Sequence, residues 1–433
     1  MASAKHHDLP PIEFTAAGSD EKEQRANLKR VMPSPGYPTC VHLLCDAIEK
    51  RSETTVFDFT QQVVNIRYHI DGIWHTMPQM DRETGDFMMA TLKQLAGMDY
   101  RERRARQEGK FSALLTKNKY KCRVLSQGVR TGERIALYIN IPQPPIDTLE
   151  EMGINPAIKT RLMESLNLST GMVLVSAMPG DGYTATWRAT LNGCDRLMRD
   201  FYVMEEKSKV EPEVINVQSK MFDASKGEDA FTHMPNLLLQ QPNVLAFTDA
   251  VDANIVNQML ELCDKQFQVI TRIGGKHCVD ALLRFMALKP DVKKLAEHLQ
   301  AIVCMRVVRK LCEECRIPYT PHPKLLAQLG IPQGRVRQFY RAFEYEPGMV
   351  DENEDPIEPC EECSGIGYLE RTGIFEVLSL TDPFRQAMIQ NARIDHLSAA
   401  AKAGGHISMR DMGVLLVAKG VTSMEELQRV LKK

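Results

Sequence analysis

Four cysteines stand in two pairs of the same spacing, Cys312-x-x-Cys315 and Cys360-x-x-Cys363. A C-x-x-C pair chelates from one tight turn, and two pairs supply four thiolates, the tetrahedral donor set of structural zinc. The stretch between the pairs is longer than the roughly 15–20 residues usual for that pattern, so four reduced cysteines in an inserted loop is the competing reading. The other seven of the 11 cysteines, Cys40 and Cys304 among them, lie in mostly apolar stretches and read as small core residues. A second candidate follows the apolar run Met172-Val173-Leu174-Val175: the turn Ser176-Ala177-Met178-Pro179-Gly180-Asp181-Gly182-Tyr183-Thr184, ahead of a helical pattern. A glycine turn between a buried strand and a helix is where backbone N–H groups cradle phosphates. Against the pattern G-x-x-x-x-G-K-[ST], Gly182 and Thr184 match, the first glycine is Ala177 and the lysine is Tyr183. Pattern alone leaves a plain strand-to-helix turn as the alternative.

The elements that must position these groups follow from composition and periodicity. The chain has 433 residues, 43% hydrophobic and 25% charged, enough for two to three ordinary globular domains. Lys+Arg is 54 against Asp+Glu 56, a net charge of −2, which argues against a dedicated nucleic-acid binder. No apolar run approaches the roughly 20 residues of a membrane helix, and no apolar leader follows the first residues, so the expected location is cytoplasmic. Residues 1–37 are polar, carry a Pro/Gly cluster and read as a flexible arm. Residues 38–141 read as a small α+β domain: a helix from Cys40 to Ile48, strand-like runs at Thr54–Phe59 and Val63–Ile70, and an Asp71-Gly72 hairpin signal. A helical pattern over Phe87–Met98 and strands near Lys121–Ser126 and Arg134–Ile141 complete it. A Pro-rich stretch with Pro142, Pro144 and Pro145 opens an expected linker over 142–153. From 154 to 433, short apolar runs such as Val244–Phe247 and Phe267–Ile270 alternate with helical patterns, the signature of an α/β parallel sheet, with the cysteines in an insertion near 309–370. Gly420 is expected to end one helix, and Thr422 with Glu425 to form a capping box for the next.

Several further motifs stand in order along the chain. Arg67-Tyr68-His69-Ile70-Asp71-Gly72, the segment Asp99 to Phe111 with Glu102-Arg103-Arg104, and Gly132-Glu133-Arg134 come before the glycine turn; Val307 to Cys315, Gly365 to Tyr368 and Arg371 to Glu376 come after it. Together they resemble the signature of the type II secretion and type IV pilus assembly ATPases, over about nine-tenths of the chain. The resemblance implies a RecA-like parallel-sheet ATPase domain preceded by a smaller PAS-like α+β domain. It also implies ATP and Mg²⁺ as cofactors, a structural zinc at the four cysteines, hexameric rings, and work with inner-membrane platform proteins of a secretion or pilus machine. The location it implies is cytoplasmic and peripheral at the inner membrane. Many such ATPases carry a further N-terminal docking domain, which is expected here to be missing or reduced.

The same resemblance exposes four departures. Phosphoryl transfer needs a cation on the β/γ-phosphates, a hydroxyl on Mg²⁺, a carboxylate for metal and water, and arginines for developing charge. Tyr183 stands at the lysine position, and a phenol carries no charge at neutral pH. Asp181 adds a negative charge inside the loop, while Thr184 keeps the hydroxyl. Where the family has a glutamate followed by an arginine after the second apolar strand, this chain has Asp249 and Val251, and the histidine position of the next motif is Gly274, with His277 three residues on. The acidic pair Glu205-Glu206 is retained, and Arg123 and Arg134 stand at the arginine-finger positions. The expected binding residues are Gly180, Asp181, Gly182, Tyr183 and Thr184, and the degenerate catalytic set is Asp249, Glu205, Arg123 and Arg134. Four losses in one mechanism predict a catalytically impaired ring subunit, as a homohexamer or mixed with an active paralogue. The alternative is an active but divergent motor in which Lys276 or Arg188 supplies the missing cation.

Overall fold

The computed structural model describes residues 10–142, 146–332, 334–346, 348–351 and 353–432. It divides into two compact units: residues 1–144 with 345–366, and residues 145–344 with 367–433. The second unit begins before the expected boundary at 154 and is interrupted, since residues 345–366 group with the first unit. Within the expected linker, Gln143, Pro144 and Pro145 lie outside the described residues, while Leu149 and Met152 are buried in the second core.

In the first unit, β1 (Ile12–Thr15) is followed by α1 (Glu21–Val31), α2 (Tyr37–Glu49), β2 (Ser52–Phe59), β3 (Val63–Ile70), β4 (Ile73–Thr76), β5 (Met80–Asp81) and α3 (Arg82–Leu95). The meander β6 (Gln107–Leu115), β7 (Asn118–Val129) and β8 (Gly132–Asn140) follows. Among the described residues these strands make one sheet in the order β1-β6-β7-β8-β2-β3-β4, with β5 on β3. Strand β7 shows how the sequence builds it: Tyr120, Cys122 and Val124 are buried while Lys119, Lys121 and Arg123 between them are exposed, the period of two that makes a half-buried strand. The Asp71-Gly72 turn works because both residues take positive φ, +48° and +82°, as a two-residue hairpin with right-handed strand twist requires. Asp81 caps α3 by accepting from the Thr84 N–H at 2.9 Å. We expect Asp81→Ala to cost the unit about 1 kcal/mol, read from the urea midpoint followed by the fluorescence of Trp74 in a Trp187→Phe background.

The arm expected to be flexible is structured from residue 11 onward. Ile12 and Phe14 are buried, β1 pairs antiparallel with β6, and the Phe14 ring meets Tyr37 and Phe111 edge-on. The alternation Ile12-x-Phe14 is too short to outweigh the surrounding polar composition when read as sequence. Deeper in the sheet, Lys93 is fully buried; it pairs with Glu133 and donates to the Glu102 carbonyl at 2.6 Å. One buried ion pair thus ties the Glu102-Arg103-Arg104 segment to the Gly132-Glu133-Arg134 turn.

The second unit runs α4 (Pro156–Leu166), β9 (Gly171–Ala177), α5 (Tyr183–Gly193), β10 (Phe201–Glu206), β11 (Val217–Phe222), α6 (Met234–Leu238), β12 (Val244–Phe247), α7 (Ala253–Asp264), β13 (Gln268–Ile273), α8 (Cys278–Ala287), α9 (Val292–His298) and β14 (Leu299–Leu311). After these come β15 (Ile317–Tyr319), α10 (Pro323–Gln328), β16 (Phe339–Arg341), β17 (Tyr368–Ser379), α11 (Asp382–Gln390), α12 (Ile394–Ala403), α13 (Met409–Ala418) and α14 (Met424–Lys432). The main sheet has the order β11-β10-β12-β13-β9-β14-β17 among the described residues. All its pairings are parallel except β14 with β17. Every residue of β9 is buried, which is why it reads as a continuous apolar run with no alternation: helices cover both faces. Gly420, at φ +70°, follows α13 as expected. The cap of α14 differs from the expected Thr422–Glu425 box: Ser423 Oγ accepts from the Glu426 N–H at 3.1 Å, and the Thr422 hydroxyl donates to the Arg309 carbonyl at 2.8 Å. No helix among the described residues is long and apolar enough to cross a membrane.

Candidate functional site

Strand β9 is internal to the sheet, and the crevice beyond the carboxyl ends of parallel strands is where such sheets bind ligands. The chain leaves β9 at Ala177 and turns through Gly180 and Gly182, at φ +85° and +78°. At Gly182 the positive φ favours glycine, and an added Cβ would come 2.6 Å from Met305 Cε, displacing the end of that side chain. The Gly182 carbonyl then accepts from the Thr186 N–H at 2.8 Å and α5 begins, with Tyr183 in its first turn and Thr184 exposed.

The loop is occupied by its own side chains. Asp181 Oδ2 accepts from Nε of the buried Arg306 of β14 at 2.6 Å. The Tyr183 hydroxyl donates to Asp249 Oδ1 at 3.3 Å. Burial pushes that phenol above its ordinary range; the charge of Arg272 opposes the rise and that of Asp249 adds to it. Arg272, at the end of β13, lies with its guanidinium carbon 4.4 Å from the Tyr183 ring centroid and 5.5 Å from that of Trp187. It pairs with Glu211, donates to the Thr248 carbonyl, and lies 3.7 Å from Asp249. Its Nη1 is buried without a hydrogen-bond partner. Three carboxylates, Asp181, Asp249 and Glu211, thus engage the guanidiniums of Arg306 and Arg272, and the charge of Arg429 also acts on Asp181.

The remaining expected residues are committed to other contacts. Glu205 is buried and accepts from Ser219 Oγ at 2.6 Å and from the Glu211 N–H at 3.4 Å. Glu206 accepts from Ser208 Oγ at 2.7 Å, and that bond lowers its carboxyl. His277 caps α8, its Nδ1 accepting from the Asp280 N–H at 3.2 Å. Neither of the two cations expected to compensate for the lysine makes a hydrogen bond or ion pair with the loop among the described residues. Arg188 pairs with Asp147, and the backbone N–H of Lys276 is held by Asp280 at 2.9 Å. Arg272 is the cation against Tyr183; no pattern in the sequence marks it, although it stands within Thr271–His277, beside the family's histidine position. In the first unit, Arg134 pairs with Asp58, which also holds Arg67 at 2.9 Å. Arg123 stacks 4.2 Å from the Tyr138 ring centroid and lies 3.6 Å from Glu108.

The cysteines converge. The sulfurs of Cys312, Cys315, Cys360 and Cys363 all lie within 4.8 Å of one another. Tetrahedral Zn–S bonds of about 2.3 Å require sulfur pairs about 3.8 Å apart, so the donors fit with a small contraction. Each pair lies on a tight turn: the Arg316 N–H reaches the Cys312 carbonyl at 3.1 Å, and the Gly365 N–H the Cys360 carbonyl at 3.2 Å. Ser364 and Gly365 take φ +54° and +78° to turn the second pair.

Comparison with known proteins adds the family context. The family model described as "Type II/IV secretion system protein" matches residues 35–429. The type IV pilus assembly ATPase PilB of Acinetobacter baylyi is 23% identical over 390 residues, 90% of this chain and 65% of that protein. PilB of Pseudomonas aeruginosa is 24% identical over 90% of this chain and 66% of that protein. This chain thus spans just under two thirds of the length of those two relatives. The type II secretion system protein E of Dickeya dadantii is 25% identical, over 90% of this chain and 74% of that protein. The X-ray structure of the Legionella pneumophila ATPase DotB superposes with a TM-score of 0.51 at 13% identity, covering 90% of this chain and 94% of that one, which speaks to the fold alone.

Proposed function

The chain belongs to the type II/IV secretion system protein family, and from that premise we propose that it is a ring subunit of a secretion or pilus motor whose own ATP turnover is impaired. One observation carries the reading: Tyr183, at the lysine position, closes onto Asp249 while stacked on Arg272. A phosphate entering the loop would have to break that contact and approach the carboxylate of Asp181, with no ammonium to receive it. Residual nucleotide binding would use the backbone N–H groups of the Gly180–Gly182 turn and the start of α5, with the Thr184 hydroxyl directed to Mg²⁺. Such a subunit would serve in a homohexamer, or in a mixed ring driven by an active paralogue, against inner-membrane platform proteins on the cytoplasmic side. The four cysteines would hold one structural zinc, closed to substrate because all four positions are filled by protein.

The test is ATP turnover and nucleotide binding on the zinc-loaded protein. We expect no Mg²⁺-dependent turnover above background for the wild type. Tyr183→Lys with Asp181→Gly is expected to tighten MgATP binding at least about tenfold, since it removes a carboxylate and adds an ammonium, while turnover stays absent for want of the other catalytic groups. Robust wild-type turnover lost on Thr184→Ala would overturn the reading. That outcome belongs to a second one, an active but divergent motor, which the unpartnered Nη1 of Arg272 favours: a guanidinium beside Tyr183 would then stand in for the lysine.

A further inference from the structure

The outer face of β6 and β7 concentrates positive charge. Lys119, Lys121 and Arg123 alternate along β7, and Lys110 on β6 stands directly opposite Arg123 in the antiparallel register. Like charges directly opposite destabilise a strand pair. Lys110, Lys119 and Lys121 are exposed and make no ion pair among the described residues; Glu108, 3.6 Å from Arg123, is the nearest compensation. The face borders a groove of about 960 Å³ that runs to the Thr15–Gly18 segment. Opposed like charges on one strand pair cost folding, which points to a use outside the fold.

The complementary surface is in the same chain. Between Arg341 and Arg371 there is no lysine, arginine or histidine, while acidic residues recur throughout. Glu346, Glu354, Glu358, Glu361 and Glu362 are exposed and make no ion pair among the described residues. No ion pair joins this acidic segment to the basic face within the chain among the described residues. We propose that the basic β6–β7 face of one copy receives the acidic patch of Glu346, Glu354, Glu358, Glu361 and Glu362 of a second copy. Two unlike patches make a heterologous contact, which propagates head to tail and closes into a ring where the rotation allows. Charge complementarity would set the register and speed of association more than its ultimate strength, and would make it salt-dependent. The inference stands whether or not the nucleotide loop turns over ATP.

The test uses the full chain and sedimentation velocity over a concentration series, at about 50 and about 500 mM salt, where screening differs strongly. Two charge-reversed variants are compared: K110E/K119E/K121E, and E346K/E354K/E358K, which spares both cysteine turns. Each is expected to weaken self-association at least about tenfold, and an equimolar mixture of the two to restore it, because each variant then offers the other a complementary patch. As a folding control, both should keep the wild-type unfolding free energy from urea titration within about 0.5 kcal/mol. A wild type that stays monomeric throughout would overturn the proposal. So would variants that associate like the wild type, or a mixture that is not rescued; the last result would mean that the patches serve different contacts, an anionic membrane or polyanion among them.

Discussion

Replacing Glu426 by alanine is expected to destabilise the second unit by about 3–5 kcal/mol, the cost of leaving buried cations without their anion. The carboxylate is fully buried and accepts from the Arg309 N–H at 3.0 Å, from Arg309 Nε and Nη2 at 3.1 and 3.0 Å, and from Arg429 Nε and Nη2 at 2.8 and 2.6 Å. Arg309 in turn stacks 3.8 Å from the ring centroid of Tyr368, whose hydroxyl meets Ser423 Oγ at 2.9 Å. One carboxylate therefore fastens α14 to β14 and, through the stacked arginine, to β17. Burial alone would raise its acid strength's threshold, but the hydrogen bonds and charge of Arg429 and Arg309 outweigh burial and hold its pKa at about 2. Because the folded value lies below the unfolded one, this stabilisation is complete above the ordinary glutamate range of about 4.3 and drains away as pH falls toward 2. Urea unfolding followed by the buried Trp187, in a Trp74→Phe background, reads the second unit alone. The wild type should lose stability between about pH 4.5 and 2 more steeply than Glu426→Gln. A loss below about 1 kcal/mol for Glu426→Ala would mean that Arg309 finds solvent and the pair only breaks even.

What could be read from the chain depended on whether a signal was local. The parallel strands were legible because burial on both faces leaves continuous apolar runs, as at Val244–Phe247. The hairpin at Asp71-Gly72 was legible because positive φ selects those residues. The cysteine set was legible because two C-x-x-C pairs of equal spacing stand out in the sequence. Strand β1 was not, since its two buried residues gain meaning only from Tyr37 and Phe111. Nor was the wiring of the loop. Asp181 reads as an uncompensated charge until Arg306, 125 residues away, is seen beside it. Arg272 reads as one more residue of a lost motif until its guanidinium is found on the Tyr183 ring. Glu205 and Glu206 read as metal or water ligands, yet Ser219 and Ser208 hold them. Sequence shows which residue types depart from the family's pattern; the fold shows what stands in contact at those positions.

The protein is expected to carry one zinc per chain, and to lose more from its removal than from any single core substitution. Apparent free energies for structural zinc run to about 10–16 kcal/mol at neutral pH, because the site does not persist without the metal and binding is then part of folding. Four sulfurs within 4.8 Å of one another are tolerable as thiols but not as thiolates, whose repulsion a dication must offset. In the segment carrying Cys360 and Cys363, Glu358, Glu361 and Glu362 are exposed, and the turn takes positive φ at Ser364, a residue that rarely adopts it. Cys312 and Cys363 are buried, whereas Cys315 and Cys360 are partly exposed. Cys312→Ser and Cys363→Ser should therefore abolish stoichiometric zinc, while Cys315→Ser should leave a weaker three-sulfur site that chelators strip faster. Elemental analysis of protein purified without chelator reads the stoichiometry. Proteolysis before and after chelation reads the consequence, with new cleavage expected between Arg341 and Arg371, where glutamate-specific protease has many sites. Zinc below about 0.1 per chain, with all four thiols reacting at once with a thiol reagent, would leave the cysteines as a reduced cluster and the positive φ at Ser364 without a cause.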